Sequence, residues 1–121
     1  MTAGHTVTIA PTDALVEVRL DGELLASSKQ ALRLSETGLP DRYYLPADDI
    51  RMELLRPTSF QTQCPFKGDA SYWSVDVGGT THDGVVWGYQ EPIEAAAAIA
   101  GHLSFYPTRT AITVDGEPVT A

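Results

Sequence analysis

The chain has 121 residues, 43% hydrophobic and 20% charged, which is the composition of one ordinary globular domain rather than of a disordered or fibrous chain. It carries 16 acidic residues against 8 basic ones, a formal net charge of −8. A field of that sign repels phosphate backbones and anionic bilayer surfaces, so neither nucleic acid nor a membrane is an expected partner, and an anion would need a local basic pocket.

Residues 1–14 read as an N-terminal arm or short strand around Val7-Thr8-Ile9, leaving 15–121 as a single β-rich domain. The opening MTAGHTVTIAPTD has neither a basic start nor an apolar stretch of signal length, and no apolar run approaches the ~20 residues that span a bilayer. A soluble, cytoplasmic protein is the expectation. Val16, Val18 and Leu20 alternate with Glu17 and Arg19, and Asp21-Gly22 follows, the pair that a type I′ hairpin turn favours. Glu23 to Ser27 then returns, with Leu25 expected opposite Val18 and Ala26 opposite Glu17.

Ala31 to Ser35 alternates but also suits a short helix, and Gly38 and Pro40 end it. Tyr43-Tyr44-Leu45 reads as strand, stopped by Pro46, with a turn over Ala47-Asp48-Asp49. Ile50, Met52 and Leu54 alternate with Arg51 and Glu53 and predict another half-buried strand. Phe60 to Gln63 reads as strand, and Cys64 to Asp69 as a loop punctuated by Pro65 and Gly68. Ser71 to Val77 alternates again, with Trp73, Val75 and Val77 on the apolar side. Gly78-Gly79 supplies a second tight turn before a strand through Val85-Val86-Trp87.

One main helix is predicted near 92–101: Pro92 suits its first position, Glu94 its positive dipole end, and Ile93, Ala96, Ala97 and Ala100 form an apolar stripe before Gly101. Leu103 to Tyr106 and Ala111 to Val114 close the domain as strands, and Asp115-Gly116 turns the chain once more. The echo of LDGE at 20–23 by VDGE at 114–117 is read as two hairpin turns rather than a repeat. Many short strands with turn signals and one helix give a mainly antiparallel β domain.

All ten aromatic residues lie between 43 and 106. Strands alternate faces, so Tyr43 and Tyr44 cannot both point one way, nor can Tyr72 and Trp73, and some rings must lie on a second face. An exposed ring calls for a ligand or a partner to cover it. Cys64 to Asp69 sets a thiol, the Lys67 cation, a flexible glycine and a carboxylate close together. Lys67, with backbone N–H groups freed by a turn at Gly68, would make an anion-binding loop, and Lys67→Met would then weaken binding while sparing stability. Cys64 is the single cysteine and the candidate nucleophile, with His82 the nearest base in sequence; its structural alternative is a buried, packing thiol. Arg51 projects either into a cleft or from a solvated sheet face. Asp48-Asp49 and Glu53 fit a turn better than a metal site, and His5, His82 and His102 are too scattered to suggest one, so no metal and no cofactor is expected.

The segments KQALRLSETGLPDRYYLPADDIRMELL at 29–55, CPFKGDASYWSV at 64–75, VWGYQEP at 86–92 and AAIAGHLSFYPTR at 97–109 resemble domain-of-unknown-function family 427, also catalogued under a nucleotidyltransferase-like label. The resemblance runs from about His5 to Val114. Lys29 matches the pattern in charge only, Gly88 stands where many members carry serine, and Thr110-Ala111 departs from a more usual Val-Asp. The resemblance implies a compact, mainly β, tent-like domain of two curved sheets with one helix packed on it, and implies no reaction. Metal-dependent nucleotidyl transfer needs a carboxylate pair at alternate strand positions, and Asp48 and Asp49 are adjacent.

The leading functional expectation is a domain that binds a small anionic or planar ligand in an aromatic and basic cleft lined by Tyr44, Arg51, Lys67, Gly68, Tyr72, Trp73 and Trp87. Two alternatives stand beside it: an enzyme of unassigned class, working by nucleotidyl transfer or through Cys64, and an interaction module whose rings are covered by a second copy in a homodimer.

Overall fold

Alternating apolar and polar residues dominate the sequence, and in the computed structural model, which describes residues 5–119, the backbone follows them into strands. In chain order these are β1 (Val7–Pro11), β2 (Val16–Leu20), β3 (Glu23–Ser28), β4 (Leu32–Glu36), β5 (Arg42–Tyr44), β6 (Leu55–Cys64), β7 (Gly68–Val77), β8 (Thr80–Gly88), β9 (Leu103–Phe105), β10 (Ala111–Val114) and β11 (Glu117–Pro118). They form three antiparallel sheets, in the orders β1-β4-β5, β11-β10-β2-β3 and β6-β7-β8-β9. The first and third are joined edge to edge, because the Leu45 N–H donates to the Leu103 carbonyl at 2.8 Å and the Leu103 N–H returns the bond at 2.9 Å. The fold is the mainly antiparallel β domain expected. The expected arm or strand over 1–14 contains β1, and its first four residues lie outside those described.

Two apolar cores sit on opposite faces of the β6-β7-β8-β9 sheet. One joins Val16, Val18, Leu20, Leu25 and Ile112 of the β2 sheet to Val75, Val85, Val86, Leu103 and Phe105. The other joins Leu34 and Tyr44 to Ala70, Trp87, Tyr89, Ala96 and Ile99, with Val7, Ile9, Cys64, Tyr72 and Tyr106 packed at its margin. The alternation argument for the aromatics therefore holds. Tyr43 and Trp73 pack on the first core while Tyr44 and Tyr72 pack on the second. What the sequence conceals is that both faces are covered.

Four local expectations are corrected. The β2–β3 hairpin has its type I′ turn, with positive φ at both Asp21 (50°) and Gly22 (80°), but Val18 pairs with Ala26 rather than Leu25. Leu25 is the extra residue of a bulge, which allows Leu25 and Ala26 both to be buried although they are consecutive. Residues 50–54 form no strand: Ile50 makes one bridge to Ala26, and Met52–Leu54 is a 3₁₀ turn that leaves Met52 and Glu53 exposed. The helix near 92–101 is present as 3₁₀ turns over Glu94–Ile99, kinked at Ala96, and buries Ala96 and Ile99. That spacing of three replaces the expected stripe on Ile93, Ala96, Ala97 and Ala100, as the tighter 3₁₀ period requires. Finally, Cys64 to Asp69 is a hairpin tip rather than a free loop, since Cys64 pairs with Gly68 and Gln63 with Asp69.

Trp73 lies on the apolar side shared with Val75, as expected, but is half-buried rather than sealed. Trp73→Ala is expected to cost about 2–4 kcal/mol in urea titration, at or below the range of a fully buried aromatic. A loss under about 1 kcal/mol would place the ring on the surface. No helix among the described residues is long and apolar enough to cross a membrane.

Candidate functional site

Of the seven residues expected to line a cleft, the fold gathers five. Tyr72 of β7 stands directly opposite Trp87 of β8 in register, and the Trp87 indole N–H donates to the Tyr44 hydroxyl at 3.0 Å. The Tyr44 ring meets Trp87 edge-on at 6.1 Å and Tyr89 at 6.4 Å, and the Lys67 ammonium lies 6.0 Å from the Tyr89 centroid, next to Gly68 at the hairpin tip. Trp73 points to the opposite core. Arg51 lies elsewhere and exposed, with its guanidinium on Glu23 at 2.6 Å and Glu53 at 3.1 Å.

The register that joins β5 to β9 adds two residues that sequence reasoning did not place. Running antiparallel from the Leu45–Leu103 pair, β5 carries Arg42 toward Tyr106 just beyond β9. Tyr106 lies against Trp87 with ring centroids 4.4 Å apart, and Phe60 lies against Tyr72 at 5.1 Å. The result is a row across four strands: Tyr72, Trp87, Tyr106 and Arg42, with the Thr62 hydroxyl 2.8 Å from that of Tyr72 at its outer end. Tyr72, Tyr106 and Arg42 are half-buried. The alternation of Arg42 with Tyr44 was a usable signal for its face; its distance in sequence from Tyr106 hid the pairing.

Electrostatics sharpen the row. Burial first, then the neighbouring Tyr72 hydroxyl, push the Tyr106 phenol up to about 12 against the pull of Arg42. Burial likewise raises Tyr44, opposed by the Trp87 hydrogen bond and by Arg42, and raises Tyr89. All three phenols keep their protons at neutral pH and present O–H donors. Arg42 forms no ion pair among the described residues; its guanidinium donates one hydrogen bond there, to the Asp41 carbonyl at 3.3 Å. In a chain with twice as many acids as bases, a half-buried cation left without a carboxylate is the unusual member of the set.

Lys67 is placed differently. Its ammonium donates to Glu36 Oε1 at 2.7 Å, and His5 Nε2 approaches Glu36 Oε2 at 3.2 Å while the His5 ring stacks on Phe66 at 3.9 Å. The Lys67 and Glu36 side chains are 13% and 6% exposed. The cation proposed for an anion loop is thus already committed to a buried carboxylate. Gly68 has φ of 120°, and a Cβ there would come within 3.1 Å of Pro92 Cα and 3.2 Å of the Ile93 nitrogen. Its close approach serves the chain itself, where the Ile93 N–H donates to the Lys67 carbonyl at 2.8 Å.

Cys64 is half-buried opposite Gly68, and its carbonyl accepts the Lys67 N–H at 3.2 Å. His82 is no base for it. His82 pairs opposite Val75, seven residues along β7 from Gly68 and so roughly 23 Å away at the rise of a strand. Its Nε2 instead faces Asp21 at 3.2 Å. Asp49 accepts the Ser28 hydroxyl at 2.6 Å, and no group of three or more His, Cys, Asp or Glu among the described residues is placed to hold a metal ion.

Among known families, the model described as a domain of unknown function, DUF427, under a nucleotidyltransferase-type name, matches residues 8–116. None of the curated proteins matches the chain.

Proposed function

The chain belongs to the DUF427 family, a domain of unknown function, and from its site we propose that it binds a small planar ligand carrying one acidic group. The ring lies along the half-buried Tyr72 and Tyr106, which flank the buried Trp87, and the acid is held by Arg42 and the neighbouring phenol O–H groups. The observation that supports this most is Arg42, half-buried, without an ion pair among the described residues, and next to the tilted Trp87–Tyr106 ring pair. A guanidinium suits a carboxylate or phosphate geometrically, and aromatic faces suit a planar body. One cation in a field of net −8 favours a single negative charge over a polyphosphate. The row offers rings, hydroxyls and a guanidinium, with no carboxylate in it to carry the metal-assisted chemistry that the family's name suggests.

Trp73→Phe leaves Trp87 as the one tryptophan and makes it a reporter. Benzoate and an indole carboxylate are expected to quench its fluorescence saturably, with AMP a weaker ligand. In Arg42→Met, affinity should fall by about 10–100-fold, the worth of a charge-assisted hydrogen bond. No saturable change with any of the three, or equal affinity in Arg42→Met, would refute this reading.

A further inference from the structure

We infer a second binding site, for a small doubly charged oxyanion, in the groove where the β2–β3 turn meets the segment leading into β10. This groove of about 300 Å³ is lined by Arg19, Asp21, Gly22, Thr108, Arg109 and Ala111, together with Leu20 and Thr110. The sheet register creates it. Ala111 pairs with Arg19, so Arg109, two residues earlier, arrives at the same end of the sheet from a distant part of the chain.

The quality of their existing contacts separates these two arginines from Arg51 and Arg56, and sets them beside Arg33, which reaches Asp41 at 3.9 Å, and Arg42. Arg51, Arg56 and Lys67 hold carboxylates at 2.6–2.7 Å, within the range of strong charge-assisted hydrogen bonds. Arg19 reaches Glu17 only at 3.4 Å, and Arg109 reaches the Asp83 carbonyl at 3.3 Å. Both guanidinia therefore keep donors in reserve beside one cavity, whose lining also includes Thr108. Two guanidinia with a hydroxyl match the charge and donor demand of sulfate or of inorganic phosphate. Asp21 opposes them with a carboxylate, which lies 3.2 Å from the buried His82 Nε2 but makes no hydrogen bond with it.

The test is a sulfate titration of the ¹⁵N-labelled protein at constant ionic strength, since sulfate keeps its charge across neutral pH. Saturable shifts are expected at the amides of Gly22 and Ala111. Arg19→Gln and Arg109→Gln should each weaken binding about 5–10-fold, and Asp21→Asn, tolerated at positive φ, should tighten it about 2–3-fold. Arg42→Met should leave it unchanged, which keeps this site distinct from the aromatic row. A parallel titration with glycerol phosphate identifies a phosphate ester as the ligand if it binds tighter than inorganic phosphate, and the free ion if it does not. Shifts that never saturate, or affinity in both arginine variants equal to that of the unsubstituted protein, would overturn the assignment.

Discussion

Lys67→Met is expected to cost about 3–5 kcal/mol of folding free energy, because it strands a buried carboxylate without its cation. Glu36 is 6% exposed on its side chain, and Lys67 is its closest partner at 2.7 Å. Removing the ammonium leaves His5 at 3.2 Å, two residues before β1, as the remaining side-chain contact among the described residues. Replacing both members of the pair, as in Glu36→Leu with Lys67→Met, should recover most of the loss, since the desolvation cost disappears with the attraction. Urea unfolding of the two singles and the double measures the coupling directly. A single-variant loss under about 1 kcal/mol would mean that the pair is solvated and contributes as little as a surface bridge.

Gly68→Val is the second large effect, at about 2–5 kcal/mol, combining a strained backbone with overpacking. The φ of 120° is one that side chains rarely adopt, and the new Cβ would press on the backbone of Pro92 and Ile93, which has no flexible end to swing away. Gly79→Ala supplies the control. Its φ of 82° carries the same kind of penalty, yet a Cβ there meets nothing within 4 Å. Equal losses at the two positions would show that the approach of the 91–93 segment contributes nothing.

These two residues also show where sequence reading stops. CPFKGD is locally a charged, flexible stretch, and from the sequence Lys67→Met is expected to spare stability. The partner that reverses this, Glu36, lies thirty-one residues away, just past the Ala31–Ser35 segment. Period-two alternation identified most strands correctly, because each strand's own residues determine which faces are apolar. The turns at Asp21-Gly22, Gly78-Gly79 and Asp115-Gly116 were equally legible, since positive φ is a local demand. The failures are non-local or marginal. A bulge at Leu25 depends on a core that accepts two neighbouring side chains, and the Ile50–Leu54 pattern is too short to tell a strand from a 3₁₀ turn. For the candidate site, the rings were visible as a set, but their row and its cation required the β5–β9 register.

The position of β2 has a consequence for how the chain is made. In its sheet, β2 lies between β3, which follows it at once, and β10, which comes from the last part of the described chain. As the polypeptide leaves the ribosome, the β2–β3 hairpin emerges early with Val16, Val18, Leu20 and Leu25 bare, and one edge of β2 has nothing to pair with until β10 follows. Contacts this distant in sequence close late and slowly. Until β10 emerges the nascent chain thus presents an unpaired, apolar strand edge, the kind of surface that holdase chaperones shield. A product terminated before Ala111 would keep that exposed edge permanently, and its fate would be aggregation or proteolysis rather than a slightly smaller domain.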